Sequence, residues 1–303
     1  MSISDHHVRQ MTQDDIEECA QLIRNAGLPA PTSALKVGLA VEPNGFFIVV
    51  NNKTNEIMAV CGCVSHDPRV VYVGPYAVRN NLQGRGIAIK AWQACMDYIG
   101  DRNAGLGASP KGAPLYHEKG GFGIVDPFKQ WAFGSRSPNV SNLNSSPPPG
   151  IALVKFHHDL EDKVISYDES VIRVNRQRLL RHSLREDKSL ILVATDGDQV
   201  VGYGCLKLVD DTCTKMGAIY ADTPAIAEYL VHQLIVKFEL IDARNSRLIW
   251  ILIDQNPNAV QLAEKLGCKL EVEVTRFYTK FVPQPPADIS RLYGINSPST
   301  GPF

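Results

Sequence analysis

The stretch Ala77-Val-Arg-Asn-Asn-Leu-Gln-Gly-Arg-Gly-Ile-Ala88 constrains this chain more than any other. It follows an apolar run, Val70 to Val78, that reads as a buried strand. It opens a helical pattern in which Ala88, Ala91, Trp92, Cys95 and Ile99 share one face. In a strand, glycine turn and helix of this kind, the first helical N–H groups have no partner and point into the loop. The helix dipole adds about half a positive charge there. Such a turn is an anion site, most naturally for phosphate. Gly84 and Gly86 let main chain approach a diphosphate with no side chain in the way and tolerate positive φ, and Arg85 adds a cation at the rim. The spelling fits neither the dinucleotide-binding loop, which needs a third glycine, nor the P-loop, which needs Gly-Lys-Ser/Thr after a longer spacer. On these residues alone, a turn merely softened by glycine is the competing interpretation.

Gln83-x-x-Gly86-x-Ala88, preceded by Ala77-Val78 on a strand, resembles the Gln/Arg-x-x-Gly-x-Gly/Ala signature of the GNAT N-acetyltransferase superfamily. The resemblance implies that the main chain of Gln83, Gly84, Arg85, Gly86, Ile87 and Ala88 holds the pyrophosphate of acetyl-CoA. It also implies that an N–H among Tyr76, Ala77 and Val78, at a splay in the strand, polarises the thioester carbonyl. Pro75 fits such a splay, because proline inside a central strand breaks the ladder. A second stretch, Ala113-Pro-Leu-Tyr-His-Glu-Lys-Gly-Gly-Phe122, resembles the family helix Asn-x-x-Ala-x-x-Leu-Tyr-Glu-Lys-x-Gly-Phe, whose tyrosine often protonates the departing CoA thiolate. Counted back from Gly121-Phe122 without a gap, His117 takes the tyrosine slot and Pro110 replaces the asparagine. With one residue inserted before Gly121, Tyr116 recovers its slot. Both Tyr116 and His117 therefore stand as catalytic candidates.

At 303 residues, two domains are expected rather than one, and the formal net charge of −1 favours neither nucleic acid nor an anionic membrane as partner. The N-terminal residues carry no signal-peptide pattern, and no apolar run is long enough to span a membrane, so a cytoplasmic or nuclear location is expected. Seven scattered cysteines read as reduced core thiols. Cys61-Gly-Cys63 lacks the further ligands a zinc site needs, so no metal is expected.

In order, the first domain reads as a strand His7–Met11 and a helix carrying Ile16, Cys19, Ala20 and Ile23. A mixed segment Pro29–Pro43 follows, then strands Gly45–Asn51 and Ile57–Val64, the key strand with its loop and helix, a short strand Ala104–Ala108, and a closing strand Val125–Phe133. Residues 136–150, rich in serine and proline, read as a stiff linker rather than an element, separating domains at 1–135 and 151–282.

After the linker the pattern repeats. A strand Ile151–Phe156 and a helix from about Glu169 to His182 precede strands Leu190–Thr195, Gln199–Leu208 and Lys215–Tyr220. A helix with Ala227, Leu230, Val231, Leu234 and Phe238 on one stripe then leads to a strand Leu248–Ile253. Asn256 to Gly267 repeats the second family element with Ala263 in the tyrosine slot, and Val272–Phe281 reads as the closing strand. Where the first copy has Gln83-Gly-Arg-Gly86, the second has Tyr220-Ala-Asp-Thr-Pro224. Asp222 or Thr223 caps the helix ahead of Pro224, and the carboxylate would repel phosphate. The arrangement is similar to tandem GNAT proteins with a YitH/HolE-type second domain. The fold class expected is α/β (α+β), two tandem GNAT folds, each a mixed, mostly antiparallel sheet flanked by helices, with only the first binding CoA. The tail, 283–303, reads as a loosely docked extension.

These readings imply an acetyl-CoA-dependent N-acetyltransferase acting on an amine of a small molecule or peptide held between the copies. The alternative is a non-catalytic acyl-CoA-binding or regulatory protein. Tyr72, His66 and Asp67 lie near the right strand ends for a general base, but a turn-stabilising Asp67 and a surface His66 are the simpler readings.

Overall fold

Apolar runs bounded by polar turns form the expected strands, and these join into one 13-stranded sheet. The computed structural model describes residues 5–284 and 287–296, without the side chains of His66, Asp67 and Lys119. The first half runs β1 (His6–Gln10), α1 (Ile16–Asn25), α2 (Thr32–Val41), β2 (Phe46–Asn51), β3 (Ile57–Asp67), β4 (Val70–Val78), α3 (Ala88–Ile99), β5 (Asn103–Ala108), a π-helical turn Leu115–Lys119 and β6 (Ile124–Ser135). The second runs β7 (Ile151–Lys155), α4 (Glu161–Ile172), α5 (Gln177–Ser183), β8 (Ser189–Asp196), β9 (Gln199–Asp210), β10 (Cys213–Ala221), α6 (Pro224–Val236), β11 (Arg247–Ile253), α7 (Pro257–Lys265), β12 (Lys269–Tyr278) and β13 (Leu292–Gly294).

The duplication is visible in the pairing. β1 to β4 form an antiparallel meander, and β5 then joins β4 in parallel. β7 to β10 repeat it, with β11 parallel to β10. Each half has helices on both faces, α1 and α2 or α4 and α5 on one, α3 or α6 and α7 on the other. All seven cysteines are free and buried, as expected.

The closing strands depart from expectation, because they are exchanged between the halves. β6 lies between β12 and β11, and β12 fills the edge of β5. Either arrangement satisfies the same main-chain groups, and local pattern cannot distinguish them. Exchange removes the free edge that two separate sheets would each leave at β6 and β12 and welds the halves along a β6–β12 ladder.

Three further expectations change. The helix expected over Glu169–His182 is α4 and α5, broken where Arg173 takes a left-handed φ of 59°. The break folds Arg176 back onto Asp168, at 2.8 and 2.6 Å, and both are buried. Along one continuous helix the two positions would stand about 12 Å apart. The segment 136–150 is docked rather than free: Leu143 enters the core beside α6 and α7, and Asn139 N–H donates to Leu266 O at 2.8 Å. The described part of the tail is structural rather than loosely attached. Leu292, Tyr293 and Ile295 are buried, β13 pairs antiparallel with β10, and Ile295 N–H donates to Ile251 O on β11. The local Leu-Tyr-Gly-Ile run overrides the solvated reading of its proline- and serine-rich surroundings.

Candidate functional site

β4 pairs with β5 only from Val70 to Tyr72; beyond that the two strands diverge, while β4 stays paired to β3 as far as Val78. The divergence exposes the edge of Val73 to Tyr76 to a cavity of about 500 Å³, which also meets Leu106 to Ser109. Gly74–Pro75 sits where the β3–β4 register shifts, between Cys61 and Cys63, so the expected break at Pro75 is present. Tyr76 lines the cavity with its ring 5.4 Å from Trp92, and burial pushes its phenol up to about 12. Ala77 turns into the core against α1 and α2, and Val78 packs on the opposite side with α3.

The loop that follows is pinned at both ends and open in the middle. Arg79 donates to Ile57 O at 2.5 Å and pairs with Glu18 and Glu56, while Leu82 and Ile87 are buried. Between them Gly84 and Gly86 both adopt φ of +72°, and an added Cβ at either would meet nothing within 4 Å. Side chains disfavour that backbone, so glycine is required by conformation rather than by crowding within the protein. No side chain caps α3, and the amides of Gly84 to Ala88 meet no acceptor among the described residues. Gln83 turns its side chain to Asn80 at 3.2 Å, and Arg85 is exposed at the rim.

The equivalent place in the second half is closed twice over. Thr223 Oγ1 accepts from Ile226 N–H at 3.3 Å and caps α6, with Pro224 at its first turn. Of the two residues considered from sequence, Thr223 is the cap. Asp222 instead accepts from the Tyr167 hydroxyl at 3.0 Å and pairs with Arg291 at 2.7 Å. The second closure had no sequence signal: the gap where β10 and β11 diverge is filled by β13. Asn256 Nδ2 secures that plug by donating to the carbonyls of Ile289, Ser290 and Leu292.

Tyr116 and His117 lie on the π-helical turn and point to different places. Tyr116 lines the cavity, its ring 5.4 Å from Trp92 and 6.4 Å from Phe122, and burial drives its phenol well above the usual range. His117 is exposed, with Nδ1 3.2 Å from Phe122 O and its ring against Phe277, and it is not among the cavity-lining residues. A π turn closes a ring one residue wider than an α turn, so it accommodates the single-residue insertion that puts Tyr116 in the tyrosine slot. In α7, Ala263 at the matching slot is buried.

Of the base candidates, Tyr72 is buried against Tyr278 outside the cavity, and burial drives its phenol far up, which rules against a base there. The His66 and Asp67 side chains lie outside the described residues. No cluster of metal-ligating side chains occurs among the described residues.

The cavity continues across the exchanged strands to the second half. Its apolar walls there are Ile249, Ile251, Val272 and Val274, and it ends on Ser183, Glu186, Lys207 and Lys215. α2 of the first half and α5 of the second meet over it, with Ser33 Oγ donating to Glu186 at 2.7 Å. Reasoning from sequence missed this polar end. Its one local sign was a lysine in each of two otherwise apolar strands.

Comparisons with known proteins agree with this geometry. Residues 9–120 match the acetyltransferase (GNAT) family and residues 164–294 an acetyltransferase (GNAT) domain. Holothin acyltransferase of Pseudoalteromonas sp. is 24% identical over 190 residues, covering 63% of this chain and 60% of that protein's length. Among solved structures, a tandem GNAT protein from the clavulanic acid biosynthesis pathway superposes with a TM-score of 0.65 at 12% identity, covering 90% of this chain and 98% of that one. A GCN5-related N-acetyltransferase from Sphaerobacter thermophilus superposes with a TM-score of 0.59 at 15% identity, covering 99% of this chain and 100% of that one. No helix among the described residues is long and apolar enough to cross a membrane.

Proposed function

The chain belongs to the GNAT superfamily, with two of its domains in tandem, and from that premise we propose that it is an acetyl-CoA-dependent N-acetyltransferase. The coenzyme binds to the first half and the acceptor amine enters the cavity between the halves. The observation that carries this reading is the contrast between two equivalent helix starts. α3 presents free amides behind two positive-φ glycines, whereas α6 is capped, flanked by a carboxylate and backed by a plugged groove.

In the proposed complex the amides of Gly84 to Ala88 hold the pyrophosphate, and the pantetheine arm adds along the free edge of β4. A main-chain N–H in the Tyr76–Val78 segment stabilises the carbonyl oxygen as the tetrahedral intermediate forms. The neutral amine attacks the thioester carbon, a C–N bond forms, and the C–S bond breaks to leave a thiolate. An aliphatic amine with a pKa of about 10.4 is almost wholly protonated at pH 7, so it must lose a proton before attack and a second one as the amide forms; water in the cavity carries both, one out to solvent and one back to the Tyr116 oxygen after it has protonated the thiolate. Tyr116, kept protonated by burial, hydrogen-bonds to the sulfur as charge builds and gives it a proton, the same burial raising the basicity of the thiolate. His117, facing away, takes no part. The protein works in the cytoplasm or nucleus, with no metal.

The test is calorimetry of the purified protein with coenzyme A, followed by an amine screen read by release of the CoA thiol. Binding at one site per chain together with turnover of some amine is expected. Absence of heat with coenzyme A would end the reading. Binding without thiol release from any acceptor would convert it into that of an acyl-CoA-binding regulatory protein.

A further inference from the structure

The coenzyme occupies the first-half end of the cavity in the reading above, which leaves the charges at the other end without a role. Lys207 on β9 and Lys215 on β10 are direct cross-strand partners, and both are buried, at 4% and 6% exposure. Like charges placed opposite one another on neighbouring strands repel, and burial adds a desolvation cost to each. One carboxylate serves the pair. Glu186 forms an ion pair with Lys207 through Oε2, and its Oε1 accepts from Ser33 Oγ. Lys215 has no hydrogen bond or ion pair among the described residues, and on its other side β11 offers only Ile249. The groups that face it are thus Lys207, Glu186 and the Cys213 thiol of its own strand.

A second group at this end also lacks a partner. Ser183 Oγ on α5 is buried, lines the cavity and meets no acceptor or donor among the described residues. The tail brings a third polar group, Asn296, to the same wall. One unpaired cation, one unpaired hydroxyl and one amide, set in a wall of Ile249, Ile251, Val272 and Val274, are complementary to a monoanion on an apolar molecule.

We propose that Lys215, assisted by Ser183, is the anchor for a carboxylate on the acceptor, so that the substrate is an apolar amino acid or a peptide bound by its C-terminal carboxylate. Its amine would then project along the cavity toward Tyr76 and Tyr116. A carboxylate fits better than a phosphate. A single ammonium and neutral donors balance one negative charge; Arg176, which lines an adjoining small pocket with Ser183, Lys207 and Asn296, has its fork taken by both oxygens of Asp168, and no helix N-terminus lines this end among the described residues. Burial, reinforced by repulsion from Lys207, lowers the Lys215 ammonium to about 8, so it is mostly protonated at pH 7 and its proton is held more firmly once an anion binds.

The inference rests on the transferase reading for its catalytic arm only, and the experiment separates the two. In the binding arm, calorimetry without cofactor uses N-acetyl-leucine, leucinamide and inorganic phosphate. N-acetyl-leucine should bind, leucinamide and phosphate should not, and Lys215→Met should lose the binding at least tenfold. The affinity should fall as pH rises through 8, as the ammonium loses its charge. In the catalytic arm, the kcat/KM of leucine over leucinamide should exceed ten in the native protein and fall to near one in Lys215→Met, mainly through KM. Because that substitution removes an uncompensated buried charge, the free variant should melt higher than the native protein, whereas a merely structural lysine would make it melt lower. If the variant nevertheless fails to fold, Ser183→Ala gives the same comparison with a smaller loss. Equal binding of N-acetyl-leucine by native and variant protein, a preference for leucinamide, or binding of phosphate instead would overturn the proposal. Carboxylate binding without any heat from coenzyme A would sink the transferase reading and leave the anchor standing.

Discussion

Replacing Gly86 with leucine separates a glycine needed for folding from a glycine needed for ligand approach. Gly86 is exposed with φ of +72°, and an added Cβ would meet nothing within 4 Å; Gly197, in the turn between β8 and β9, is likewise exposed, with φ of +54° and equally open surroundings. Left-handed backbone costs a non-glycine residue about 1–2 kcal/mol at either position. Gly86→Leu and Gly197→Leu should therefore lose similar stability in urea titrations. They should differ sharply toward coenzyme A. Hydrogen bonds to charged groups contribute about 1.5–3 kcal/mol each, so displacing the pyrophosphate from two amides of the loop costs about 3–6 kcal/mol. That corresponds to roughly two to four orders of magnitude in Kd. Calorimetry should show native-like affinity in Gly197→Leu and near-complete loss in Gly86→Leu. Binding of coenzyme A by Gly86→Leu within threefold of the native protein would refute the placement of the pyrophosphate.

Other outcomes are equally open to measurement. Truncation after Gln284 removes the buried side chains of Leu292, Tyr293 and Ile295. At about 1.5–3 kcal/mol for each, the loss is comparable with the whole stability of a typical domain. The truncated chain should show a lost or strongly lowered thermal transition, and an unchanged melting temperature would mean that β13 is dispensable. Tyr116→Phe should lower kcat by tenfold or more with little change in coenzyme A affinity, while His117→Ala should leave both within twofold. The reverse pattern would exchange their roles. The contribution of Lys215 to stability should also rise between about pH 8 and 10.5, because its ammonium is lowered to about 8 in the folded protein from an ordinary 10.5 and so holds its proton better in the unfolded chain, whereas the buried thiols of Cys19, Cys205 and Cys268, pushed up from 9, act in the opposite direction. Denaturant titrations across this range should show the native protein gaining stability relative to Lys215→Met as pH rises; a difference that stays constant or shrinks would mean that the lysine is compensated.

What the sequence determined by itself was local. The anion-binding turn could be read because Gly84, Gly86 and the helix beyond them lie within a few residues of one another, and main-chain conformation there answers to its own side chains. The duplication was readable for the same reason: strand and helix periods recur in order, and Asp222-Thr-Pro224 spells out a capped helix start where the first copy has glycine. Tertiary structure alone decided everything that depends on which distant segments meet. Nothing local in β6 or β12 says which sheet each closes, so their exchange is a choice between equivalent sets of main-chain hydrogen bonds, made by the packing of the two halves. The π turn that gives Tyr116 rather than His117 to the cavity depends on contacts with Trp92 and Phe122. The pairing of Lys207 with Glu186, which leaves Lys215 alone, depends on where α5 ends above the sheet. Charges in strands are visible in a sequence, but whether a counterion reaches them is settled by the fold.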